Sequence, residues 1–206
     1  ISLPTDGIID ILKKLVLLFG NLGGYLFSVI LTLLYIYNKL TLPAILAGVY
    51  LAAVTLVYVY YLRTKRLEKT AFWFSFLLFV ELVAMHVSLG GFKASGLIFI
   101  WVAACAIMAI ITSQSRLAAL WIILFLVATG IFTVAEPWIA TLSPGVPVKL
   151  SNLLFALNFG FGLAYMIGNS FYFMYLLEVS RKQADDLLLN ILPAAAAQHR
   201  LEEPRR

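Results

Sequence analysis

Apolar residues run along this chain in blocks close to the length of a membrane-crossing helix, each closed by a short polar break. The blocks are Leu15 to Tyr37, Pro43 to Leu62, Thr70 to Val87, Ala94 to Ile111, Leu117 to Ala135 and Leu153 to Leu177. The breaks read NKLT, RTKRLEK, SLGGFK, TSQSR and the longer EPWIATLSPGVPVKLSN, whose prolines and Gly145 argue against a helix of its own. Crossing about 30 Å of hydrocarbon takes about 20 helical residues, because backbone donors and acceptors in lipid must pair within their own segment. The pattern predicts an all-α polytopic membrane protein with six transmembrane helices and a cytoplasmic helical C-terminal extension. Three regions follow: an amphipathic cytoplasmic segment over 1–14 with Asp6 as its N-cap, a membrane domain over 15–177, and a cytoplasmic coiled-coil linker over 178–206.

Composition removes the soluble alternative. The 206 residues are 63% hydrophobic and 12% charged, with a mean hydropathy of +0.98, a balance foreign to soluble domains. The net charge of +5 has a topological explanation. Of the 15 Lys and Arg residues, only Lys39, Lys93 and Lys149 lie on one side of the predicted bundle, and the rest, including the Arg63 to Lys69 cluster, Arg116 and Arg181, lie on the other. Short cytoplasmic loops collect Lys and Arg, so both termini are expected in the cytoplasm, and no nucleic-acid partner is expected. The single Cys105 offers neither a disulfide framework nor a cysteine metal site. The chain opens on Ile1 and closes on HRLEEPRR, and it reads as part of a longer protein.

Few ionisable groups fall inside the blocks, and these are the candidates for function. Glu81 lies about 11 residues into the third block, roughly 16 Å deep, where a carboxyl is costly unless it faces the bundle interior. His86 stands about 140° around the same helix, so the two do not form a joint site on that helix alone. In the last block Ser151, Asn158, Gly162, Tyr165, Asn169 and Tyr172 fall on one polar stripe turned from lipid. Glu81, Asn158, Tyr165, Asn169 and His86 are therefore the candidate lining of an intramembrane pocket for a small or lipophilic ligand. Bundle packing explains the same residues without a ligand. Gly160, Ala164 and Gly168, like Gly20 and Gly24, repeat small residues at four-residue intervals, a spacing that lets helices approach closely. Glu136 is followed by Pro137 and Trp138 at the outer end of the fifth block, where Trp138 suits an interfacial anchor.

Beyond the last block, Leu177, Ser180, Ala184, Leu187 and Ile191 follow a 3-4-3-4 spacing that makes one seam of a two-stranded parallel coiled coil. Leu177, Ala184, Leu187 and Ile191 are the expected contacts of a homodimer. Pro193 ends or kinks that helix. The string DDLLLNILPAAAAQHRL carries Leu187, Leu188, Asn190, Ile191, Leu192 and Pro193, then Ala197, Arg200 and Leu201. It resembles the linker that precedes the catalytic domain of class III adenylate and guanylate cyclases, and blocks of membrane helices before it resemble the anchors of bacterial class III adenylate cyclases. Ala196 stands where that family has a larger aliphatic residue, and His199 places Arg200 and Leu201 one position late.

The resemblance implies a parent enzyme of the bacterial inner membrane that converts ATP to cyclic AMP in a catalytic domain absent from these 206 residues, with Mg or Mn bound there. This region needs no cofactor, holds no catalytic residue and supplies anchor, dimeriser and receptor, with the linker as transducer. Two alternatives stand beside it: the sensor region of a histidine kinase or another nucleotide cyclase, and a small transporter or channel complete in itself.

Overall fold

The computed structural model describes residues 7–112, 115–143 and 145–202, with the backbone alone for 8–10, 115 and 187–202. Asp6 lies outside the described residues. Six α-helices follow in order: α1 (Ile8–Tyr37), α2 (Thr41–Thr64), α3 (Leu67–Leu89), α4 (Val102–Ile111), α5 (Ser115–Leu142) and α6 (Val148–Glu202), with a 3-10 turn at Ile98–Trp101 leading into α4. Among the described residues five helices, all but α4, are long and apolar enough to cross a membrane. The protein is a polytopic helical membrane domain.

That count corrects the expected six transmembrane helices. The stretch from Ala94 to Ile111 is not one helix: it begins in a loop, and only Ile98–Ile111 is helical. A 3-10 turn rising about 2 Å per residue and an α4 rising about 1.5 Å per residue reach about 23 Å, short of the hydrocarbon thickness. The cause lies in the backbone. Gly90 and Gly91 take φ of 96° and 94°, and their amides bond back to Val87 and His86 at 3.2 and 2.9 Å, the paired bonds that end a helix on a left-handed glycine. Gly96 and Leu97, at φ of 61° and 56°, then form a second left-handed break. Gly96 also sits directly against α6, where a Cβ would overlap the backbone of Leu154 and Phe155.

The bundle is built around α3, which packs on α1, α2, α4, α5 and the 3-10 turn, while α6 packs on α1, α4 and the 3-10 turn. The rings of Phe72 and Phe79 on α3 lie 6.4 and 5.8 Å from Trp121 near the start of α5. At the far ends Glu136 of α5 meets the loop that leaves α3. The two helices therefore run parallel, and the loop, 3-10 turn and α4 return the chain between them. Tyr35, Leu89, Phe99, Val102 and Leu154 fill the core, whereas Leu33, Val49, Leu56, Leu126 and Val134 are exposed, as side chains facing lipid would be.

Two prolines lie inside helices. Pro137 falls within α5, which continues to Leu142, so the expected long connection between the last two blocks shrinks to a few residues around Gly145. The helix α6 likewise passes through Pro193 and reaches Glu202, and the expected end of the helix at Pro193 is not observed. Proline removes one backbone donor, a loss that both helices accommodate.

Candidate functional site

A cavity of about 50 Å³ opens inside the bundle beside the broken segment. Helix α1 lines it with Gly20, Asn21, Gly24 and Phe27, α2 with Tyr50, α3 with Glu81, the 3-10 turn with Trp101, and α6 with Asn158 and Tyr165. Glu81, Asn158 and Tyr165 thus meet at one place, although they come from helices far apart in sequence. Among the described residues the Glu81 carboxyl has no hydrogen-bond or ion-pair partner. Four of its neighbours in the cavity wall, Phe27, Tyr50, Trp101 and Tyr165, are aromatic. Trp101 lies 5.7 Å from the Tyr165 ring and 5.4 Å from Phe27.

Asn158 has a different role. It is fully buried, and its Oδ1 accepts the Trp101 indole N–H at 3.2 Å. Its Nδ2 donates to the carbonyls of Ser95 and Gly96, each at 3.2 Å. One amide therefore satisfies the broken backbone and fixes the indole that walls the cavity. Irregular backbone at membrane depth persists only where protein groups satisfy it, and Asn158 meets that requirement from α6. Ser151, about two turns earlier on α6, donates to the Lys93 carbonyl at 2.6 Å.

His86 and Asn169 lie outside this cavity. Asn169 donates back to the Tyr165 carbonyl of its own helix at 2.7 Å. His86 is fully buried among the rings of Phe92 and Phe132, at 4.4 and 4.6 Å, with neither ring nitrogen hydrogen-bonded. Its Nε2 stands 3.9 Å from the Glu136 carboxylate, whose two oxygens accept the Phe92 amide at 2.9 and 3.1 Å. Gly91 makes that clasp possible, since a Cβ there would overlap the carboxylate. Glu136, read from sequence only as a neighbour of an interfacial Trp, thus holds the loop from the α5 side. A wider hollow is lined by Lys93, Glu136, Ser143, Ser151 and Asn152, and it shares none of these residues with the Glu81 cavity.

Among the described residues no cluster of His, Cys, Asp or Glu is placed to hold a metal ion. Cys105 is buried and donates to the Ser75 carbonyl at 3.3 Å. The cavity offers a carboxyl group, phenols and aromatic faces, which suit binding and not bond-breaking.

The polar stripe of α6 turns inward from Ser151 to Tyr172, while Gly160, Ala164 and Gly168 are exposed and both glycines face open space. Gly160 and Gly168 therefore make no close packing among the described residues, whereas Gly162 lies against Ile100 and Trp101. Gly20 also packs closely, with Met108 Cε 3.1 Å from the position of its absent Cβ. Past Leu176, α6 carries Leu177, Ser180 and Ala184 exposed, along with an ion pair at 2.8 Å between Glu178 and Lys182. The side chains of Leu187, Leu188, Asn190, Ile191, Leu192 and Pro193 lie outside the described residues, and their backbone continues α6. Comparison of this chain with protein-family models, with curated proteins and with solved structures finds no significant match.

Proposed function

We propose that this chain is the membrane anchor, dimerisation and receptor region of a bacterial class III adenylate cyclase. In this reading both termini are cytoplasmic and a catalytic domain beyond the linker, with its own Mg or Mn, converts ATP to cyclic AMP. The observation that carries the proposal is the continuity of α6. One helix bears Asn158 and Tyr165 in the cavity wall and, without a break, the segment that resembles a cyclase linker. A change in the cavity that shifts α6 displaces the linker with it, because cavity wall and linker lie on one continuous helix. Ligand control then requires only that the two positions of α6 bind the ligand differently. In a homodimer two such helices set how a pair of catalytic domains meets.

Cyclic AMP formation by the full-length protein tests the assignment, measured beside a truncation that lacks everything before Arg200. Both produce cyclic AMP under this proposal, the truncation to the extent that it still dimerises. No cyclic nucleotide from either protein would refute the family assignment.

A second reading has one observation in its favour. A helix broken in mid-bundle beside an unpaired carboxyl is also how secondary transporters build substrate sites. Uptake of a solute by vesicles containing this chain alone would favour that reading over the first.

A further inference from the structure

We propose that the Glu81 cavity receives the head group of a lipophilic organic cation, a protonated amine carried on an apolar tail. The inference rests on the receptor reading above and deepens it by naming the class of ligand.

Charge comes first. Glu81 supplies the cavity with an acidic group, and among the described residues no Lys, Arg or His lines it. His86, the nearest basic residue on the same helix, is enclosed by Phe92, Phe99 and Phe132 and turned to Glu136. An unpaired carboxyl inside the bundle keeps its proton rather than its charge, so an anionic head group would find no opposite charge and a neutral one would gain no ion pair. A cation satisfies the carboxyl group.

The surrounding chemistry selects the kind of cation. Phe27, Tyr50, Trp101 and Tyr165 present aromatic groups around the same space, and aromatic faces attract ammonium groups most strongly where water is excluded. A carboxylate among aromatic rings recognises an organic ammonium, whereas a hard metal ion needs several oxygen ligands. Size narrows the class further. About 50 Å³ accommodates a head group and not a whole ligand, so the rest of the molecule must extend outward. Gly24 marks where space is open, since a Cβ placed there meets no atom within 4 Å. The tail would leave past Gly24, through the open space beside that face of α1.

The test uses the 206-residue chain in lipid nanodiscs at neutral pH, titrated with hexylamine, hexanol, hexanoate and potassium chloride, with thermal unfolding and calorimetry as readouts. Hexylamine should bind saturably and raise the unfolding temperature, and the other three should not. Glu81→Gln should weaken hexylamine binding by about tenfold or more, and Gly24→Leu, which keeps the carboxyl and fills the opening, should do the same. Equal effects of hexanol or potassium chloride and hexylamine on the wild type would overturn the proposal, as would undiminished binding in folded Glu81→Gln. Should Glu81→Gln not fold, unchanged affinity in Gly24→Leu would overturn it. The assay contains no catalytic domain, so its failure removes the ligand class and leaves the cyclase assignment to the cyclic AMP measurement. An absence of cyclic AMP would equally leave the binding result intact.

Discussion

Glu81 and Asn158 are both polar residues at membrane depth, yet the structure gives them opposite situations. Asn158 spends both ends of its amide on Trp101, Ser95 and Gly96, whereas the Glu81 carboxyl is unpartnered among the described residues. Asn158 therefore belongs to the architecture of the site, and Glu81 is free to meet a ligand. Replacing Asn158 with Leu strands an indole N–H and two carbonyls in a buried place, and should lower stability by about 2–4 kcal/mol. Thermal unfolding in nanodiscs checks this, with Asn169→Ala as a comparison. Asn169 only bonds back within its own helix, and its loss should change stability by less than about 1 kcal/mol. Equal losses in the two variants would contradict the role given to Asn158. Sequence depth and helical period pick out Glu81, Asn158 and Tyr165 as polar positions worth following. Phe27, Tyr50 and Trp101 escape that reading, because one aromatic residue in an apolar helix looks like any other until three elements converge.

At the scale of elements, hydropathy is informative where one helix carries the whole crossing and fails where the chain breaks. Residues Ala94 to Ile111 are apolar enough to pass for a span. The signal against it was present in Gly90, Gly91 and Gly96, but glycine is common in membrane helices. What forces the break is tertiary: Gly96 is pressed against α6, and Asn158 and Glu136 supply bonds for the irregular backbone. Pro137 and Pro193 act in the other direction: prolines argued against a helix between the last two blocks, and Pro193 suggested an end or a kink, yet both helices continue past them.

The exposed seam of α6 carries its own prediction. Leu177 and Ala184 are exposed among the described residues, and the proposed dimer buries them. Ala184→Cys and Leu187→Cys, oxidised in membranes, should give disulfide-linked dimers, while Asp186→Cys, about 200° around the helix from Ala184, should give few. Native Cys105 is buried and contributes no background. Failure of both seam positions to crosslink would count against the parallel dimer.

The whole molecule combines a helical bundle, an unpaired carboxyl in its interior and one helix that joins that interior to the linker. Its central claim is that the state of the cavity reaches whatever output domain follows α6. Pro193 lies on α6 beyond Asn158 and Tyr165 of the cavity wall, so a substitution there tests transmission apart from binding. Alanine there restores a backbone donor within α6 and stiffens the helix at that point. The most direct measurement is the rate of cyclic AMP formation by full-length protein in bilayers, compared among wild type, Glu81→Gln and Pro193→Ala at matched dimer concentration. The account predicts that both substitutions change the rate by about threefold or more, equivalent to about 0.65 kcal/mol in the balance between two packings of α6, while the dimer fraction stays constant. Identical rates in all three proteins would contradict it.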